Sequence, residues 1–185
     1  MSGLRASAPL FIMLAAAGCA SAPPPRATPP QIEAPPPPAI SADDDEVWDG
    51  GGGAAALRAR GAQLAAFALT LRGAPYRFGG ATREGFDCSG LVFYAHQHFG
   101  LTVPRTSRAQ ADAAEAVKPR KLAIGDLVFF KIDSRHVNHV GIYIGRHRFV
   151  HAPGAGKPVA INSLEDEFYA DRFSSAGRFW DRTPR

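Results

Sequence analysis

The chain has 185 residues, enough for one domain and not comfortably for two, and its 21 basic and 17 acidic side chains leave a net charge of +4. So small an excess, with lysine scarce and arginine spread out, excludes the dense basic stripe of a nucleic-acid-binding surface and suits an anionic polymer as partner. The first residues read as a secretory signal: Arg5 supplies the positive start, and Pro9 to Ala17 form an apolar run shorter than the roughly 20 residues a membrane-spanning helix needs.

Leu14-Ala15-Ala16-Ala17-Gly18-Cys19 is similar to the signal of bacterial lipoproteins, in which the cysteine is lipidated and becomes residue one, although Ala16 stands where that family usually has Leu. The resemblance implies a signal peptide over residues 1–18 and a membrane anchor on Cys19, where each buried CH₂ contributes about 0.8 kcal/mol. Ala20 after the cysteine implies, by the same resemblance, the periplasmic face of an outer membrane. The alternative is an ordinary signal peptide cut after Ala-x-Ala. Residues 19–53 then read as a tether, because Pro23 to Pro25, Pro29-Pro30 and Pro35 to Pro38 favour extended polyproline. Asp43 to Glu46 and Gly50 to Gly53 continue the solvated stretch, and Trp48 within it either docks on the domain or has no task.

The folded part is expected over residues 54–185. Leu57, Leu64, Phe67, Ala68 and Leu71 recur at helical spacing, and Gly73 ends that helix. A loop through Tyr76 to Gly80 leads to Gly85-Phe86-Asp87-Cys88-Ser89-Gly90, which runs into the apolar-periodic segment Leu91 to Phe99. Asp87 reads as the cap of a second helix and Cys88 as its first residue. Pro104 to Ser107 turns and caps a third helix, Arg108 to about Glu115. Beyond Pro119 the period shortens. Strands are expected over Asp126 to Lys131, Val137 to Gly145, Arg148 to His151 and Pro158 to Ile161, then a short helix at Leu164 to Tyr169 and an edge strand at Ala176 to Trp180. Helices first and strands later predict an α+β domain, with the N-terminal helices packed on a central antiparallel β-sheet.

A cysteine at a helix start lies among unpaired N–H groups at the positive end of the helix dipole, and both favour the nucleophilic thiolate. Alternation places His139, Gly141, Tyr143 and Gly145 on one face of their strand, and a hairpin through Arg146 and His147 brings His151 near His139. Cysteine, base and a group orienting the base form an activated nucleophile, expected to rest as a thiolate–imidazolium pair if the Cys88 helix packs on the His139 face. His96, His98, His136 and His147 read as surface residues. No metal or cofactor is expected: C-x-x-C is absent, and His147 and His151 sit on an extended segment that holds their rings too far apart for one ion.

Taken together, Tyr76-Arg77-Phe78-Gly79-Gly80, Phe86 to Val92, Pro104 to Ser107, Gly125 to Phe130, His139 to Gly145 and Phe149 to Ala152 resemble, in order, the blocks of the NlpC family of bacterial cell-wall cysteine peptidases. The resemblance runs from about Gln63 to Trp180. It implies a papain-like α+β fold and cleavage of peptidoglycan stem peptides; the chain is expected to act as a monomer. It also implies Cys88 as nucleophile, His139 as base, His151 as the third polar residue and Tyr76 as an active-site tyrosine. Asp87 and Ser89 fall on positions that line the substrate groove, although Asp87 can equally serve only as a cap and Ser89 only to satisfy the helix start. Asp126 matches a family position and reads as a turn residue. The competing readings are a cysteine-dependent amidase or acyltransferase acting on another amide, and a catalytically silent wall-binding lipoprotein.

Overall fold

The structure is a computed structural model that describes residues 52–181. The signal segment 1–18, the lipidation position Cys19, Trp48 and the tether as far as residue 51 lie outside the described residues. Helix α1, Gly52–Leu69, starts earlier than expected and takes in two glycines assigned above to the tether. The alanines from 54 to 56 are strong helix formers and carry the helix back through them. Its buried stripe is Leu64, Ala65 and Ala68, whereas Leu57 stays exposed. Gly73 closes the turn after α1 with φ +84° and donates its N–H to Val159 O.

A two-stranded hairpin follows, β1 (Ala81–Thr82) with β2 (Gly85–Phe86), too short to leave a period in the sequence. Then come α2 (Cys88–His98) and α3 (Ser107–Ala113), the latter capped by Thr106 Oγ1, which accepts from Ala109 N–H. Helix α3 ends earlier than expected because Glu115–Val117 forms a strand, β3. The rest of the sheet is β4 (Leu127–Phe130), β5 (His139–Gly145), β6 (Arg148–His151), β7 (Ala160–Ser163) and β8 (Phe173–Arg178), with the one-turn helix α4 (Glu167–Ala170) before β8. All pairings are antiparallel, in the order β3-β8-β4-β5-β6-β7. The last strand is therefore internal and not an edge, since β3 covers its outer side. The β5–β6 turn has Arg146 and His147 both at positive φ, the backbone of a two-residue hairpin whose twist matches its strands.

The sheet has two apolar faces, as period-2 alternation requires. Leu127, Phe129, Val140, Ile142 and Val150 pack against α1 and α2 through Leu64, Ala68, Leu91, Val92 and Ala95. Val128, Phe130, Tyr143 and Phe149 form the opposite face and are covered by Tyr169 of α4. Among the described residues, no helix is long and apolar enough to cross a membrane.

Candidate active site

Helix α2 begins at a cap built as the sequence indicates. Asp87 has extended backbone and its Oδ1 accepts from Gly90 N–H at 2.6 Å. The same carboxylate accepts from Gly79 N–H, Ser89 Oγ–H and both outer nitrogens of Arg105, the last at 2.9 and 2.7 Å. Arg105 also donates to Ser89 Oγ and to Gly80 O. Burial alone works to raise the Asp87 pKa, but the Arg105 fork, Gly90 N–H and Ser89 Oγ outweigh it and hold the carboxyl below its usual range. Asp87 and Ser89 thus form the cap itself. Neither Arg105 nor Gln110, whose side-chain amide donates to Ser89 O and Pro104 O, was identified from sequence as supporting the site. The Pro104-Arg105-Thr106-Ser107 block was the available signal, but only the tertiary fold shows that its arginine reaches Asp87.

The cap holds Cys88 against the first residues of β5. Its thiol points at Asn138 O, 3.9 Å away, and Val140 N–H lies within reach of the sulfur, so it faces the backbone on either side of His139. Asn138 is itself pinned, donating its N–H to Phe130 O and receiving Ile132 N–H on Oδ1 at 2.7 Å. The route to this meeting differs from expectation. Helix α2 packs on the Val140–Ile142 face, while His139 pairs with Phe130 on the opposite face; the sulfur arrives at the end of the strand.

His139 is buried, and its Nε2 is 2.7 Å from Nδ1 of His151, the rings meeting edge to face with centroids 5.0 Å apart. Room for the second ring comes from Gly141. A Cβ there would stand 2.5 Å from the Phe149 ring and 3.3 Å from His151 Cβ. His151 in turn bonds Asn162 Oδ1 through Nε2 at 2.9 Å, with Tyr169 Oη at 3.4 Å from the same nitrogen. Asn162 carried no signal of its own in the sequence; it joins the site because β7 pairs it opposite Phe149, on the His151 face. Tyr76, half-buried in the loop bridged to β2, lies in the field of the site: burial raises its pKa first, and the charges of Cys88 and Asp87 add to the rise.

Burial pushes the Cys88 thiol up to about 11, with Asp87 adding to the rise and the N–H groups of Val140, Ser89 and Cys88 opposing it. Burial pulls His139 down to about 3, with His151 second, and His151 down to about 4. Desolvation of both partners therefore works against the resting ion pair expected from the helix terminus alone. His98, His136 and His147 are exposed as expected, but His96 is not: it is fully buried, with Nδ1 2.8 Å from Val92 O, and it plays no part in the site. Among the described residues, no cluster of His, Cys, Asp and Glu could hold a metal ion.

The sequence profile of the NlpC/P60 family matches residues 73–178. The chain is 39% identical over 113 residues to murein DD-endopeptidase MepS/murein LD-carboxypeptidase of Escherichia coli (strain K12), covering 60% of this chain and 59% of that one. It is 38% identical over 111 residues to murein DD-endopeptidase MepH of the same strain, covering 57% of this chain and 41% of that one. It thus spans roughly half the length of these curated relatives. The crystal structure of an NlpC/P60 family protein from Bacillus cereus ATCC 10987 superposes with a TM-score of 0.63 at 34% identity, over 65% of this chain and 40% of that one. The antiparallel sheet with helices on its face is the papain-like α+β fold of these proteins, and the chain belongs to the NlpC/P60 family.

Proposed function

We propose that the protein is a peptidoglycan endopeptidase that hydrolyses amide bonds in cell-wall stem peptides, with Cys88 as nucleophile, His139 as base and His151 orienting the base. One observation carries the reading: Cys88 stands at a helix start against the backbone flanking His139, and His139 is backed by a second buried histidine at 2.7 Å. Relatives named as murein endopeptidases supply the substrate class, since this geometry would serve many amides.

The steps follow from the groups present. The Cys88 proton passes to His139 as the sulfur attacks the amide carbonyl. An N–H of the first turn of α2, unpaired within the helix, can donate to the developing oxyanion. The imidazolium returns its proton to the leaving amine as the C–N bond breaks, leaving a thioester on Cys88. Water, deprotonated by His139, attacks the thioester; the acid product leaves and the sulfur regains its proton. Tyr76, Asp87 and Ser89 border the groove in this reading.

The test is digestion of purified peptidoglycan by the full chain, with soluble products read by mass spectrometry. Cys88→Ala should release nothing, and His139→Ala should lose about 10²–10⁴ of the rate. Equal products from wild type and Cys88→Ala would leave only a wall-binding protein. Products joined to an added amine in place of water would favour acyl transfer. A D,D-cross-linked dimer and an uncross-linked stem peptide, digested side by side, assign the bond. The envelope location is part of the proposal: residues 1–18 as signal, Cys19 lipidated, 19–51 as tether, and the catalytic domain working as a monomer at the periplasmic face of the outer membrane. The mass of the mature N-terminus and sedimentation of the purified protein test the anchor and the monomer.

A further inference from the structure

We propose that Asn162 and Asp166 are positioning residues that fix the tautomers of both site histidines, so that His139 keeps an unprotonated Nδ1 for Cys88. The inference rests on the catalytic reading above and extends it outward by two residues.

The chain of bonds is determined from its outer end. Asp166 Oδ2 receives the backbone N–H of Ser163 at 3.2 Å, and a backbone N–H can only donate, so this oxygen accepts. Asn162 Nδ2 is 3.3 Å from the same oxygen. The amide therefore turns its NH₂ toward Asp166; reversed, it would set two acceptors against each other. That leaves Asn162 Oδ1, which can only accept, 2.9 Å from His151 Nε2, so Nε2 carries the hydrogen. A neutral imidazole has one N–H, so His151 Nδ1 is bare. It lies 2.7 Å from His139 Nε2, which must then be the donor. His139 has spent its single hydrogen there, and its Nδ1 holds a free lone pair. Nδ1 is the ring nitrogen nearer its own backbone, and the Cys88 sulfur lies against that backbone between Asn138 O and Val140 N.

A competing group makes the arrangement testable. Tyr169 Oη is 3.4 Å from His151 Nε2, and a phenol can donate as well as accept. With Asn162 Oδ1 removed, Tyr169 O–H, which among the described residues has no acceptor other than this nitrogen, donates to a bare Nε2, and the His151 hydrogen moves to Nδ1. His139 Nε2 must then accept, its own hydrogen moves to Nδ1, and the base meets the thiol with no lone pair. Lys157, in the loop after β6, is the remaining charged group acting on His151.

The experiment uses the full chain labelled with ¹⁵N-histidine. Two-bond ¹H–¹⁵N spectra at pH 7 should show both His139 and His151 as Nε2–H tautomers. Asn162→Leu should convert both to Nδ1–H and lower kcat on purified peptidoglycan by about 10²–10⁴-fold, the scale of a mis-set tautomer in a triad, with KM little changed. Exchanging the pair, Asn162→Asp with Asp166→Asn, presents an acceptor to His151 again and should restore the spectra and bring kcat within about tenfold of wild type. The wild-type spectrum alone overturns the proposal if His151 reads Nδ1–H. An Asn162→Leu protein with unchanged tautomers overturns it as well, whatever its rate. Failure of the parent reading looks different: the wild type would leave peptidoglycan intact while the tautomers still read as stated.

Discussion

Five donors converge on the Asp87 carboxylate, and two of them belong to Arg105. A bidentate guanidinium both neutralises and orients, and here it also bridges to Gly80 O and Ser89 Oγ, so loop and helix start are fixed as one piece. The consequence reaches the sulfur, because the Asp87 charge is among the causes that raise the Cys88 pKa. Arg105→Gln should leave that charge less compensated and make alkylation of Cys88 by iodoacetamide at pH 8 about tenfold slower, with a stability loss of about 1–3 kcal/mol. Alkylation at the wild-type rate would show that Arg105 holds the loop without acting on the thiol. The cap was legible in Gly85-Phe86-Asp87-Cys88-Ser89, since a capping motif is local. The fork was not, since Arg105 lies 18 residues away and only the tertiary fold joins them. His96 shows the opposite failure. It lies one turn after Val92 on the buried stripe of α2, but its polar side chain reads as a surface residue.

At the scale of elements, β5 does two jobs with alternate residues. Val140 and Ile142 serve the helix-side core, and His139 and Tyr143 serve the other face with Gly141 between them. That alternation was visible in the sequence, as was the hairpin that returns His151. What the space at Gly141 receives was not visible: it holds the Phe149 ring and the His151 side chain of the neighbouring strand, not a helix. Gly141→Ala should therefore displace His151 from His139, cost about 1–3 kcal/mol by overpacking, and lower kcat on peptidoglycan at least tenfold. Thermal melting and steady-state kinetics on one preparation check both, and unchanged kcat would mean that the ring pair tolerates the shift. Strands β1, β2 and β3 escaped sequence reading because two or three residues cannot display a period, and missing β3 is what made β8 look like an edge.

Across the whole molecule, buried ionisable groups hold distant segments together and set the pH range of the fold. Asp126, read from sequence as a turn residue, is fully buried and receives Ala123 N–H, the Arg178 guanidinium at 2.7 and 2.9 Å and the Trp180 indole N–H at 3.0 Å. It ties the start of β4 to the end of β8 and to the largest side chain of the core. Asp126→Ala removes the acceptor shared by the Arg178 guanidinium, the Trp180 indole N–H and Ala123 N–H and should cost about 3–5 kcal/mol, a fall in Tm of roughly 10 °C or more. Acid acts through the histidines. Burial depresses His96 to about 4, His151 to about 4 and His139 to about 3, so between about pH 6.5 and those values the unfolded chain binds more protons. Stability from these groups is present above about pH 6.5 and is lost as the pH falls toward their folded values. At pH 5, His96 alone withdraws about 2 kcal/mol. Cys88 acts at the other end: its raised pKa makes the folded chain hold its proton, so stability falls as the pH climbs from about 9 toward 11. Tm measured across pH should therefore peak between about 6.5 and 9 and drop steeply toward 4.5. His96→Leu isolates one share of the acid limb. His96 donates Nδ1–H to Val92 O and leaves Nε2 buried with no hydrogen-bond partner, so at pH 7 leucine should be neutral or slightly stabilising. At pH 5 the variant should exceed wild type by about 2 kcal/mol, and parallel acid limbs for the two proteins would mean that His96 gains its proton without unfolding the chain.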